Sequence, residues 1–333
     1  MDQQELLTKV LNAESCGDIF EKDSLSGIRS QYYDMAKIIH PDVCTLPGAE
    51  TAFGILTRLR NDALAYIRMG TWGKTGRLYL DNTQSIGYRN AKSFEFGTRY
   101  SGMSHVVYAF DQGKEKWADL FRQKTHDFSF LDAAMKGAYK DRIPRIEKVL
   151  TMNDKRTAIV LKKNPNEYPM DLFLSAYKEK IGGRDIAWMI SRMIDLCCLL
   201  YVNGLVHNGI MAENLYICPK DHYICIYGGW QYASRIGGKM IGTTKEVYNL
   251  MPTISRTTKT ATQITDMECV RNIFRKVIHK DTVPYEIMKW IDDGSTDDPI
   301  SEYERWNRAL DKAYGQRKFQ VFSANADEIY SQK

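Results

Sequence analysis

Residues 204–230, GLVHNGIMAENLYICPKDHYICIYGGW, decide how the rest of the chain is read. An apolar run over 186–201 with helical periodicity leads into them. They then present His207, Gly209 two residues later, Asn214 five further on, and Tyr227-Gly228-Gly229-Trp230 about a strand after that. An Asp at 209, or within 227–229, would supply a carboxylate able to orient a hydroxyl or hold a divalent cation. Neither place is acidic, and the carboxylates the stretch does carry, Glu213 and Asp221, fall elsewhere. Without an acid beside it, His207 reads as a packed, hydrogen-bonded residue and Asn214 as a turn former.

Length and composition bound the rest. A chain of 333 residues is long enough for two domains, because a single core rarely grows much beyond ~250 residues. Hydrophobic content of 44% with 26% charge is ordinary for a globular protein. The net charge of +5 is modest, and no run of five or six like charges forms a basic arm, so no nucleic-acid partner is expected. No apolar window reaches the ~18 residues that span a bilayer, and the first ten residues carry acids where a signal peptide has a basic start. A cytoplasmic protein with no membrane association is the expectation. The seven cysteines, at 16, 44, 197, 198, 218, 225 and 269, show neither a C-x-x-C pair nor metal-site spacing. They read as reduced thiols, with no metal and no cofactor expected.

The spacing of His207, Gly209 and Asn214, followed by Tyr227-Gly228-Gly229, resembles the catalytic loop and D-F-G segment of protein kinases with both carboxylates replaced. That resemblance implies an α+β chain with a bilobal kinase-like domain, its β-rich small lobe at 93–165 and its helical large lobe at 166–333. In the small lobe, SFEFGTRY at 93–100 and the strand-like run to Phe110 resemble a glycine-rich loop and its second strand. Only Gly97 and Gly102 are available there, and a plain hairpin turn is an equal reading. The run 117–122, WADLFR, is the candidate for the lysine-bearing strand, with Arg122 nearest the lysine's place. The helical stretch 128–138 then offers Asp132 where a kinase has Glu, so an Arg122–Asp132 pair is the available substitute. Residues 146–150 and 157–162 read as the remaining strands, and 162–169 as the hinge. Downstream, Gly242-Thr243-Thr244 and 248–252 resemble the end of an activation segment. Asp266, on a helix over 265–274, would accept backbone hydrogen bonds from the loop at 207. The Thr-rich run 253–265 reads as a solvated loop, and 285–291 and 302–314 as closing helices.

Before this domain the pattern is helical. Leu6, Leu7, Val10 and Leu11 recur at helical spacing, as do Ile28, Tyr32, Met35, Ala36 and Ile39. Pro41 stops the second run, since proline lacks an amide proton and disfavours helical geometry in the preceding residue. A third stripe, Ala52, Leu56, Leu59, Ala63 and Tyr66, follows. Two helices joined through His40-Pro41-Asp42 resemble the J-domain of DnaJ-type co-chaperones, in a small all-α domain over 1–70. The bland reading of the tripeptide is a helix stop and a turn. The resemblance implies that His40, Pro41 and Asp42, with Arg29 and Lys37 on the preceding helix, face a DnaK-class ATPase. Asp34 sits where such helices are usually basic, which weakens steering toward an acidic partner. The turn-rich run 70–76 marks the boundary, 71–92 reads as a linker, and within it 77–86 as a strand or connecting hairpin.

The order of the two resemblances, together with GGRDIAWMISRMID, VHNGIMAEN and GGWQYA, is similar to a family of phage and bacterial proteins in which a J-domain precedes a degenerate kinase-like domain. Its implication is a non-catalytic J-domain and pseudokinase protein with no catalytic residues, a co-chaperone-like adaptor or scaffold for protein partners. Two other readings stay open. One is an atypical nucleotide-binding protein or phosphotransferase using Glu213, Asp221 and Arg122. The other is a phage structural or host-interaction protein. Oligomeric state is not legible.

Overall fold

The computed structural model describes residues 2–13, 15–21, 24–68, 76–278, 283–316 and 322–331. The chain divides into two compact units, one formed by 1–112, 149–158 and 330–333, the other by 113–148 and 159–329. This division groups 113–148 with the second unit, across the 93–165 segment expected from sequence. The boundary expected at 70–76 lies, save Gly76, outside the described residues.

The first unit opens with α1 (Gln3–Leu11), α2 (Leu25–Ile39) and α3 (Ala49–Arg68). Asp2 and Ser24 cap the first two by accepting from the amides of Glu5 and Gly27 at 2.7 and 3.1 Å. Leu6, Val10, Ile28, Ile39, Leu56 and Ala63, one stripe from each helix, meet in a common core. His40 meets Phe53 while Tyr32 meets Thr57 and Arg60, so α2 and α3 run antiparallel. α2 ends one residue before Pro41, with His40 already at ψ 136°, as proline demands.

A hairpin of β1 (Gly76–Tyr79) and β2 (Ser85–Tyr88) follows, pinned to the helical part by an Arg77–Asp18 ion pair at 3.1 Å. Next come β3 (Asn90–Phe94), β4 (Gly97–Ser101) and β5 (His105–Phe110), an antiparallel meander. The tip 149–158 of a later hairpin, β6 (Arg145–Thr151) and β7 (Thr157–Lys162), extends it to the strand order β3-β4-β5-β7-β6. Two glycines are dictated by close approach. A Cβ on Gly97, at φ 154°, would lie 2.0 Å from the Ala109 carbonyl oxygen, and one on Gly102 would lie 2.4 Å from that of Gly87.

The second unit begins with α4 (Glu115–His126) and α5 (Ala133–Tyr139). Here the structure corrects the expected strand at 117–122. Ala118, Phe121 and Thr125 are its buried residues, and their spacing of three and four is a helical stripe. The helix expected over 128–138 starts only at Ala133, because Asp132 is its N-cap. After β8 (Tyr168–Pro169) and α6 (Met170–Ala176), the 20-residue α7 (Gly183–Val202) buries Ile186, Ile190, Met193, Ile194 and Cys197 and leads into β9 (Leu205–Val206). β10 (Leu215–Cys218) and β11 (Tyr223–Ile226) join β8 in one small sheet, and β12 (Ser234–Arg235) pairs with β9. α8 (Lys245–Leu250), α9 (Thr253–Thr258), α10 (Gln263–Arg275), α11 (Tyr285–Asp292), α12 (Pro299–Tyr314) and α13 (Ala326–Tyr330) complete the chain. The solvated loop expected over 253–265 is thus helical in its first half, with Ser255 buried. Among the described residues no helix is long and apolar enough to cross a membrane.

Candidate functional site

The loop after β9 is held from beneath by α10. The amides of His207 and Asn208 donate to the two carboxylate oxygens of Asp266 at 2.6 and 2.9 Å, the role expected of Asp266. Burial pushes this carboxyl up to about 7, and the two amides pull it the other way. Asn208 sits at φ 55°, a left-handed conformation that a short amide side chain tolerates. Its side chain donates to the Tyr232 carbonyl at 3.1 Å, and the Thr243 hydroxyl donates to the Asn208 carbonyl at 2.6 Å. Bonds from three directions fix the loop in one conformation.

His207 is fully buried, edge-on to Trp230 at 5.1 Å between ring centroids. Burial pushes its imidazole down to about 3, so it is neutral throughout the physiological range. A buried, neutral ring in this state packs the loop.

Around it, two of the glycines are crowded. Gly229 stands at φ 82°, and a Cβ there would lie 2.8 Å from both Asn214 Nδ2 and His207 Cε1. At Gly209 a Cβ would meet the Tyr232 ring at 3.1 Å. Asn214 donates from Nδ2 to the Gly209 carbonyl at 2.8 Å. Its own backbone carbonyl accepts from the amides of Tyr227 and Gly228 at 2.9 and 3.0 Å. The Trp230 indole donates to the Ile226 carbonyl at 3.1 Å. His207, Gly209, Asn214, Gly228, Gly229 and Trp230 are therefore brought together, as one tightly packed knot.

Sequence reasoning missed Glu167. Its buried carboxylate accepts from the hydroxyls of Tyr223 and Tyr227, both at 2.7 Å, and from the Asn164 amide at 3.1 Å. Burial, reinforced by this carboxylate, pushes both phenols far up, so they remain donors. The Tyr227 hydroxyl also lies 3.0 Å from the Lys162 carbonyl. The residue before the two glycines is thereby tied to the end of β7. The available signal was the alternation of Tyr223, Cys225 and Tyr227, which places all three on one strand face.

Arg122 and Asp132 do not pair. Arg122 is exposed on α4 with Asp119 at 3.7 Å, and Asp132 caps α5 by accepting from the Met135 amide at 2.7 Å. Gly102 belongs to the strand packing already described. In the first unit, His40 is packed on Phe53 at 4.8 Å, and its Nδ1 accepts from the Asp42 amide at 3.2 Å. The Val43 amide closes a turn on the His40 carbonyl at 2.9 Å. Asp42 is 87% exposed in its side chain, and Arg29 and Lys37 are exposed on α2. Among the described residues no group of three or more His, Cys, Asp or Glu side chains is placed to hold a metal ion.

No protein-family model and no curated protein sequence matches the chain. Solved structures similar to it include vaccinia related kinase 3, at 13% identity and a TM-score of 0.48 over 71% of this chain and 90% of that one. The ROP18 kinase domain in complex with AMP-PNP and sucrose is similar at 13% identity and 0.46, over 74% and 88%. The BubR1 kinase domain is similar at 9% identity and 0.48, over 71% and 83%. The similarity is to a kinase-like fold.

Proposed function

We propose that this chain is a catalytically silent, kinase-like protein that works by binding protein partners, as an adaptor or scaffold. The observation that carries this reading is the crowding at Gly229, where any side chain collides with both Asn214 and His207. Phosphoryl transfer is mostly positioning plus electrostatic stabilisation by metal ions and a lysine. A nucleoside triphosphate brings roughly four negative charges. The knot from His207 to Trp230 has no carboxylate at 209, 228 or 229, and the side chains nearest to 209 and 229, those of Tyr232, His207 and Asn214, are neutral.

The test is a melting curve with and without Mg-ATP, together with a labelled γ-phosphate transfer assay. No magnesium-dependent rise in Tm and no transfer are expected, whereas saturating a ligand site a hundredfold above Kd would stabilise by about 2.7 kcal/mol. Gly209→Asp/Gly229→Asp is expected to melt lower than the wild type and to gain no activity. A magnesium-dependent shift or measurable transfer overturns the reading. A shift that survives metal removal favours the nucleotide-binding alternative.

The exposed Asp42, Arg29 and Lys37 support a more specific partner, a DnaK-class chaperone met by the α2–α3 loop. Stimulation of such an ATPase by the full chain is then expected to be weak, since Asp34 is exposed on the same helix, and to be lost in His40→Gln. Equal stimulation by wild type and His40→Gln, or none by either, reduces the loop to the turn that its own hydrogen bonds describe.

A further inference from the structure

The face of α7 opposite the last turns of α12 lines a partly open pocket of about 160 Å³, remote in sequence from the glycine knot and independent of the function proposed for it. Ala187, Trp188 and Leu310 supply apolar walls. Arg184, Ser191 and Arg192 add polar groups from α7 to its lining.

The polar groups at this cavity are unequally satisfied. The Arg184 guanidinium lies over the Tyr314 ring at 4.5 Å and forms no ion pair among the described residues. Arg192 is neutralised by Asp195 at 2.7 Å, with N–H groups to spare. Asp185, the other nearby acid, is engaged at the start of α7, where it accepts from the Gly182 amide at 3.0 Å. Ser191 is occupied as well, donating to the Ala187 carbonyl and accepting from the Trp306 indole. Like the Trp188 indole N–H and one Asp185 oxygen, the Tyr314 hydroxyl is buried and meets no hydrogen-bond partner. Burial pushes its phenol up, so it is held as a donor awaiting an acceptor. A buried donor left in this way is expensive, and such groups call for a partner.

We propose that this cavity binds a small aromatic monocarboxylate, its ring among Ala187, Trp188 and Leu310 and its carboxylate facing Arg184, Arg192 and the Tyr314 hydroxyl. Size sets the ring count, since a cavity of ~150 Å³ holds a single benzene ring. Charge sets the head group. Arg192 is paired with Asp195 and Asp185 lies close by, so Arg184 is the one guanidinium here with no ion pair among the described residues, which matches a monoanion better than a phosphate dianion. The planar guanidinium fork suits a carboxylate geometrically.

The probe is 4-fluorobenzoate, titrated into the full chain and followed by fluorine NMR, with 4-fluorobenzamide as the uncharged isostere. Saturable binding with Kd below ~1 mM is expected, and the amide should bind at least about tenfold more weakly. Arg184→Gln should weaken the carboxylate about tenfold while leaving the amide nearly unchanged, because it removes charge and keeps bulk. Leu310→Trp should abolish binding of both by filling the cavity, with folding checked by an unchanged melting curve. Arg192→Gln replaces Arg184→Gln if the latter melts early. No saturable binding, equal binding of acid and amide, or binding indifferent to Leu310→Trp overturns the assignment.

Discussion

Asp266→Ala is expected to lower the melting temperature by roughly 10 °C. The substitution leaves the amides of His207 and Asn208, donors at 2.6 and 2.9 Å to a carboxylate with no solvent exposure, without any acceptor. Each buried unsatisfied amide costs about 1–3 kcal/mol. In a domain of about 150–250 residues, 1 kcal/mol moves Tm by about 2–4 °C. Asp266→Asn keeps one acceptor oxygen and should lose about half as much. A thermal melt of the three proteins at one pH decides this, and an alanine variant as stable as wild type would show that the loop draws its order from elsewhere.

The same residue makes stability depend on pH. Its carboxyl in the folded chain lies at about 7, above the ~3.9 of an unfolded aspartate. The folded state therefore holds the proton more tightly than the unfolded state does. The contribution is fully present below pH ~4 and is lost as pH rises through about 7. Asp266→Asn has no proton to lose, so wild-type stability measured against this variant should fall across that window. A difference that instead grows toward neutral pH would mean that the two amide donors outweigh burial.

Much of this was legible because local rules and tertiary packing agree. Pro41 stops α2 at Ile39 for a covalent reason, so the break could be read without knowing the partner helix. His207, Asn214 and Asp266 could be placed by spacing, since a loop that carries fixed backbone bonds keeps its length. The run 117–122 was misread because Trp117 and Phe121 favour strands by type, whereas its buried residues lie at helical intervals. The Thr-rich run at 253 was misread for a similar reason. Thr257 and Thr258 return their hydroxyls to carbonyls four residues back, at 2.9 and 2.8 Å, and so satisfy within a helix the groups that argued against one. Glu167 was invisible because nothing local announces that a glutamate will meet two tyrosines some sixty residues away. The crowding at Gly229 belongs to the same class. A glycine in sequence says only that the backbone is free, and the neighbours that close the space come from positions 207 and 214.

Glu302→Ala is expected to be the more damaging of the substitutions at the far end of α10. Arg271 and Glu302 form an ion pair at 3.0 Å with both side chains wholly buried. The Arg271 guanidinium also donates to the Trp290 carbonyl at 3.0 Å and to the Ser295 hydroxyl, and stacks over the Trp290 ring at 4.0 Å. Glu302 in turn accepts from Arg305 at 2.6 Å and from the Thr296 amide at 2.8 Å. Removing one partner strands a buried charge, at about 3–5 kcal/mol, whereas replacing both by apolar side chains of similar size is often neutral. Urea denaturation should therefore show a large fall in midpoint at unchanged slope for Glu302→Ala, and recovery of most of it in Arg271→Met/Glu302→Leu. One helix carries both anchors: Asp266 holds the loop at 207, and Arg271, five residues later, holds α11 and α12. Loosening the second anchor should then release the first, so that the amides of His207 and Asn208 exchange hydrogen faster in Glu302→Ala than in wild type. Unchanged exchange there, despite the lowered midpoint, would show that the two ends of α10 yield independently and that the loop's rigidity rests on Asp266 alone.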